Sequence, residues 1–306
     1  MPIPVVLQHC PEYADPQLER MIDDMLYASG FFPATGMRVL VKPNMVGARN
    51  AEISNTHPLF VRQVCRVLLK YGAKVTVGDS PSFGTALSVA RRSGLAKALQ
   101  DLPVRLISLG RPRTIRLPGG VSIGISRDAL EADAIVNLPK LKVHNQMRIS
   151  AAVKNLFGCV CGPRKALAHY RHGDEGNRFP RMILDIAELV PAQLHIVDGI
   201  RAMHIKGPIW GESHPLNLVA ASTNMHALDA TLYNALGLVP TDVPLWHLAL
   251  SMGRPGADLG GVYFPEKTPQ DVDVSGFVIP AELNPETFAP QRLLKGRLKS
   301  LWQRFF

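Results

Sequence analysis

Cysteine is scarce in this chain, with four thiols in 306 residues (Cys10, Cys65, Cys159 and Cys161) and none after position 161. So few and scattered cysteines exclude a disulfide scaffold, and reduced thiols are expected. Long apolar runs are missing as well. No stretch reaches the roughly 18 apolar residues of a membrane-spanning helix, and the first residues, MPIPVVLQHCPEYADPQLER, lack the basic start and apolar stretch of a secretory signal. The expected compartment is the cytoplasm. Several catalytic signatures are also absent: G-x-x-x-x-G-K-[ST], G-x-G-x-x-G after a strand, H-E-x-x-H, G-x-S-x-G and the C-x-x-C-x-x-C ferredoxin run. Phosphate-loop hydrolases, Rossmann dehydrogenases, zincins, α/β-hydrolases and a built-in 4Fe–4S cluster are therefore unsupported.

What is present is the composition of a globular protein: 46% hydrophobic, 19% charged, with glycine and proline at 25 each. These proportions exclude collagen, a coiled coil and a disordered chain. The length suits two domains of roughly 150 residues or one large α/β domain. Its formal charge of +9 is concentrated in two places. Residues 138–181 hold nine basic residues against two acids, and residues 291–306 hold five cations and no acid, which leaves the rest of the chain net negative. A local positive field attracts anions, such as a carboxylate or phosphate substrate or an anionic membrane surface. Nucleic acid is not expected, because neither window carries a zinc finger, an RNP aromatic pattern or a helix-turn-helix.

Strand-like runs recur at 37–42, 74–79, 104–108, 132–138, 193–199 and 216–222, with helix-length segments at 58–71, 85–99, 147–157, 180–190 and 225–236. Strands alternating with helices predict an α/β fold, a mainly parallel sheet flanked by helices. The pattern suits one domain over 1–290, with lobes about 1–135 and 136–290, and a basic amphipathic tail at 291–306. Helix 58–71 carries its own punctuation: Thr56 as N-cap, Pro58 in the first turn and Gly72 at the end. Beyond residue 240, frequent prolines predict short strands, loops and a final helix.

In a parallel sheet, ligands bind outside the carboxyl ends of the strands. That rule singles out Lys42 and Asn44 after the first strand, Asp79 and Ser80 after the second, Lys140, Lys142 and His144 after the fourth, and Asp198 after the fifth. Thr56 and His57 stand at a helix start, where free N–H groups favour an anion. Apart from His144, these residues form the expected substrate-binding set, together with Asn155. Lys154 lies beside the apolar side of segment 147–157, where partial burial would make it basic or nucleophilic near neutral pH. The lysines near His144 favour a neutral imidazole, suited to accept a proton or bind a metal. Cys159-Val-Cys161 has the ligand atoms for a soft metal, with His169, His172, His204 or His214 available to complete a site. Buried structural thiols fit the same pattern.

The segments VLVKPNMVG (39–47), NTHP (55–58), YGAKVTVGDSPSFG (71–84), ADAIVNLPKLKVHNQMRISAAVKNLFGCVCG (132–162), IVDGIRAMHIKGP (196–208) and ASTNMHALDA (221–230), with His169, resemble the DUF362 family. Many of its members carry a ferredoxin-like 4Fe–4S domain. This chain has none, so the resemblance implies a separate redox or iron–sulfur protein as partner. A second resemblance, to the nickel-pincer lactate racemases, rests on the order His144, Lys154, His169. It implies proton or hydride transfer by those three residues beside a carboxylate, although the glycine-rich stretch ahead of that family's lysine is here Ile149 to Val153. The reading that follows is an enzyme for a small anionic substrate, with His144, Lys154 and His169 catalytic. The alternative is a module that delivers a metal or cofactor to a redox partner. Membrane-surface contact through residues 291–306 is the remaining expectation.

Overall fold

The computed structural model describes residues 2–162 and 177–283. Its centre is a ten-stranded sheet flanked by helices. The main path runs β10 (Arg148–Ser150), β9 (Lys140–His144), β11 (Ala192–His204), β8 (Ala134–Leu138), β3 (Arg38–Pro43), β4 (Lys74–Asp79) and β5 (Arg105–Ser108). Pairings from β5 through β4, β3 and β8 to β11 are parallel, as is β9 with β11. Antiparallel additions close the other side: β12 (Glu212–His214) and β13 (Leu218–Ser222) on β11, β2 (Val6–His9) on β13, and β10 on β9. Two small sheets stand apart, β1 (Ile3–Pro4) with β14 (Val262–Tyr263) and β6 (Pro112–Arg116) with β7 (Ser122–Ser126).

Strand alternation sorts the apolar side chains onto two faces. Val39 and Val41 of β3 point into a core shared with the helices Leu18–Ala28 and Pro58–Lys70, whereas Leu40 points into a core shared with Arg178–Leu189. In β8, Val136 joins the first core and Ile135 the second. That alternation puts Asn137 on the second face, a polar side chain in an otherwise apolar strand. A third cluster, with Val197, Tyr233 and Trp246, packs around the middle of β11.

Chain order fixes where a site forms. From β3 the chain passes to β4 on one side, and β8 later joins β3 on the other. The strand order therefore reverses outside the carboxyl ends of β3 and β8, the place where open α/β sheets open a crevice.

Several local expectations are corrected. The helix expected over 147–157 is confined to Ala152–Leu156, because Arg148–Ser150 pairs back on β9 as β10 and Arg148 adopts a φ of 62°. Asp229 sets the helix start by accepting the Ala152 and Val153 N–H groups at 2.7 and 3.0 Å. The run 85–99 is two helices, Ala86–Arg92 and Leu95–Ala98, broken at Gly94, whose φ is 82°. The cap of helix Pro58–Lys70 is His57, whose Nδ1 accepts the Leu59 N–H at 3.3 Å, and Thr56 has other partners. The fifth strand runs on to His204, so Asp198 lies in its interior and not after its end. The sheet takes strands from both sides of residue 135. Among the described residues no helix is long and apolar enough to cross a membrane.

Candidate active site: a buried lysine cluster

Three lysines converge at the strand-order reversal with almost no exposure: Lys42 at 0%, Lys140 at 1% and Lys142 at 1%. Burying an ammonium is costly unless it is paired. Lys42 Nζ lies 2.9 Å from Asp79 Oδ1, out of line for a hydrogen bond but well within ion-pair distance, and donates to the Pro43 carbonyl at 3.2 Å. Asp79 Oδ2 accepts the Met45 N–H at 2.8 Å, which fixes the carboxylate. Lys140 Nζ contacts Asp198 Oδ2 at 3.1 Å. Asp198 also accepts from the Tyr13 hydroxyl at 2.8 Å and the His57 N–H at 2.9 Å. The anion expected at the start of helix Pro58–Lys70 is thus the protein's own carboxylate. Tyr13 lies 3.7 Å from His57, ring centre to ring centre and nearly parallel, and its hydroxyl is 2.6 Å from Lys140 Nζ. Burial lowers the His57 pKa to about 4, with Asp198 opposing and Lys140 adding to the shift, so the ring is neutral.

Lys142 differs from its neighbours. Its Nζ donates to Asn44 Oδ1 at 2.5 Å and to the Ser54 carbonyl at 2.7 Å, both neutral acceptors. Among the described residues no carboxylate lies within ion-pair distance of it. Its pKa falls well below that of an ordinary lysine, first through burial and then through the charges of Lys154 and Lys140, against the weaker opposing pull of Asp79.

A chain of amides holds this arrangement. Asn44 Nδ2 donates to Asn155 Oδ1 at 2.8 Å, and Asn155 Nδ2 donates to Asn137 Oδ1 at 2.8 Å. Asn137 Nδ2 reaches the Ala152 carbonyl and His195 Nδ1, both at 3.0 Å. Thr56 completes the wall, accepting the Asn44 N–H at 2.7 Å and donating to the Leu138 carbonyl at 2.6 Å. Burial, and secondarily the charge of His226, lowers the His195 pKa to about 3, so His195 stays neutral and can accept from Asn137. This has a stability consequence of definite sign. A histidine depressed in the fold stabilises above its unfolded pKa near 6.5, and that stability is lost as pH falls toward 3. Asp229, raised by burial to about 6 despite three hydrogen-bond donors, acts oppositely: its contribution is full below 3.8 and is lost as pH rises through 6. His195→Gln keeps an acceptor and cannot take up the proton. Urea unfolding at pH 6.5, 5.5 and 4.5 should show stability falling less steeply with acid in the variant than in the wild type.

His144 is buried, and its Nδ1 accepts the Gln146 and Met147 N–H groups at 3.1 and 3.3 Å. Those two donors place the ring proton on Nε2. Lys154 is half-buried with its Nζ over the rings of Phe157 and Phe179, 4.8 and 6.0 Å from their centres. Ile149, Ala151 and Ala152 ahead of it are fully buried. Ser80, next to Asp79, accepts the Gly162 N–H at its Oγ at 3.1 Å. Cys159 is buried in the second apolar core, and the Cys161 thiol donates to the Gly110 carbonyl at 3.3 Å. His204 and His214 lie against Phe277. Among the described residues no group of three or more His, Cys, Asp or Glu is placed to hold a metal ion. His169, His172 and the tail 291–306 lie outside the described residues.

The structure brings together Lys42, Asn44, Thr56, His57, Asp79, Lys140, Lys142, Asn155 and Asp198. Tyr13, Asn137, His195 and Asp229 were not anticipated. For Asn137 the signal was available, as a polar residue inside an apolar strand run. Tyr13, at 127 positions from Lys140, gave none.

Residues 39–234 match the sequence model of a domain of unknown function, DUF362. A thylakoid-associated protein of Synechocystis is 34% identical over 289 residues, covering 94% of this chain and 89% of that protein. A lactate racemase apoprotein structure from Thermoanaerobacterium thermosaccharolyticum aligns with a TM-score of 0.43 at 13% identity, covering 72% of this chain and 54% of that one.

Proposed function

The chain belongs to the DUF362 family, and from that premise we propose that it is an enzyme acting on a small carboxylate or phosphate at the lysine cluster. The observation that carries this reading is Lys142: a buried amine at the carboxyl edge of the sheet, bonded to neutral oxygens alone, with Lys154 the strongest neighbouring charge. Lys42 and Lys140 are matched by Asp79 and Asp198, so their charge is already answered inside the protein. Lys142 has no such partner among the described residues, and an anion held beside it would stabilise its protonated form, an attraction much stronger in a low-dielectric site than in water. His144 stands two positions along β9 on the same face as Lys142, with its ring proton on Nε2.

The test is calorimetric titration of the purified full chain with inorganic phosphate and with pyruvate. Binding of at least one is expected, weakened about tenfold in Lys154→Met by the loss of one charge-assisted contact. Neither anion binding the wild-type chain, or Lys154→Met binding with unchanged affinity, would overturn the reading.

A further inference from the structure

We propose that Lys142 is an imine-forming residue, and that the anion taken at this site is a carbonyl compound, a 2-oxo acid or similar oxo-carboxylate. The proposal rests on the anion-binding reading above and narrows its substrate class.

The hydrogen-bond count at Nζ is the argument. A neutral amine has two N–H groups and one lone pair; an ammonium has three N–H groups. Lys142 has two acceptors, Asn44 Oδ1 and the Ser54 carbonyl, and among the described residues no third. As an ammonium it would leave one donor buried and unbonded among other lysines, which is costly. As a neutral amine every N–H is satisfied.

Neither acceptor can turn and occupy the lone pair. Ser54 offers a backbone carbonyl, which only accepts. Asn44 is held in one orientation, because its Nδ2 is committed to Asn155 Oδ1, whose own Nδ2 is committed to Asn137 Oδ1, and Asn137 in turn donates to the Ala152 carbonyl. Neutral His195 ends the series as an acceptor, so the direction of the whole chain is set from the interior outward. Every link presents oxygen toward the lysine and leaves its nitrogen lone pair available to an electrophile. Asn44, which bonds the amine directly, is itself half-buried.

A neutral lysine lone pair attacks a carbonyl carbon. The N–C bond forms as the carbonyl π pair moves to oxygen. Transfer of both amine protons to that oxygen and loss of water give the imine, one water released for one carbonyl consumed. Proton uptake at nitrogen gives an iminium whose single N–H keeps one of the two acceptors, and whose positive charge is answered by the carboxylate the substrate brings.

Reduction traps this bond. The full-length protein is incubated with pyruvate and sodium cyanoborohydride at pH 7 and pH 9, followed by intact mass measurement and peptide mapping. The expected result is one reduced pyruvate per chain, on the peptide containing Lys142, with similar yield at both pH values. An ordinary lysine would instead gain about tenfold in neutral amine per pH unit. The adduct should vanish in Lys142→Arg, which has no nucleophilic amine, and persist in Lys154→Met once pyruvate is raised to offset weaker binding. The wild-type map decides the matter even if the arginine variant fails to fold. Pyruvate binding by calorimetry with no adduct at Lys142, or adducts spread over surface lysines, would overturn the imine while leaving the anion site standing. Absence of any anion binding would overturn both.

Discussion

Asp198→Ala should be the most damaging single substitution in the cluster, because one carboxylate serves three donors. Removing it leaves the Lys140 ammonium buried without a counter-charge and deprives the Tyr13 hydroxyl and His57 N–H of their acceptor. Breaking a buried ion pair by deleting one partner costs about 3–5 kcal/mol, and each orphaned donor adds about 1–3 kcal/mol unless water reaches it. A loss of about 5 kcal/mol consumes much of the stability of an ordinary domain, so the variant is expected to be largely unfolded or strongly shifted in urea. The double variant Lys140→Met with Asp198→Ala tests the cause. Without the ammonium, the remaining cost is that of the two orphaned donors and a small cavity, and the double variant should be more stable than Asp198→Ala alone. Should the double variant be less stable, the charge of Lys140 is not what Asp198 holds.

Gly158→Ala is the second large effect, and it comes from a single methyl. Gly158 lies in the short turn after helix Ala152–Leu156, and a Cβ there would overlap Asp79 Oδ1 and both Nζ and Cε of Lys42, the last at 2.6 Å. The Lys42 side chain has 0% exposure and Asp79 2%, so neither can swing into water. Either the ion pair separates in the interior or the turn lifts away. Overpacking a dense core costs about 1–3 kcal/mol, and disturbing a buried pair adds to that. At roughly 2–4 °C per kcal/mol for a chain of this size, a fall of about 10 °C in Tm is expected by scanning calorimetry. Gly162→Ala is the control, since a Cβ there meets nothing within 4 Å and only its φ of 54° is unfavourable. Equal losses from the two variants would show that contact with Lys42 and Asp79 is not what makes an alanine costly at 158.

The strands were legible because apolar, β-branched runs have a period and a length that sequence displays. KVTVGD at 74–79 matches β4 residue for residue, and helix Pro58–Lys70 ends where Gly72 predicts. The hairpin of β9 and β10 was not, because it begins at Lys140, Lys142 and His144, polar side chains that no propensity argument places inside a core. The sheet buries the two lysines because each finds a partner from another strand or loop, Asp198 from β11 and Asn44 from beyond β3, and it buries His144 against the N–H groups of its own hairpin turn. The candidate site was legible in outline through one rule, that polar residues following parallel strands gather at one edge. What that rule could not supply is pairing, which depends on strand order.

By itself, then, the sequence determined an alternation of strands and helices, a basic middle, and the residues standing at strand ends. These are properties of neighbours along the chain. Only the tertiary structure decided that two of the buried lysines are neutralised by the protein's own carboxylates and that, among the described residues, the third is not. Charge compensation in an interior depends on contacts a few ångströms long between residues far apart in the chain, as for Lys42 with Asp79 and Lys140 with Asp198, and no local pattern encodes which lysine is left without an anion.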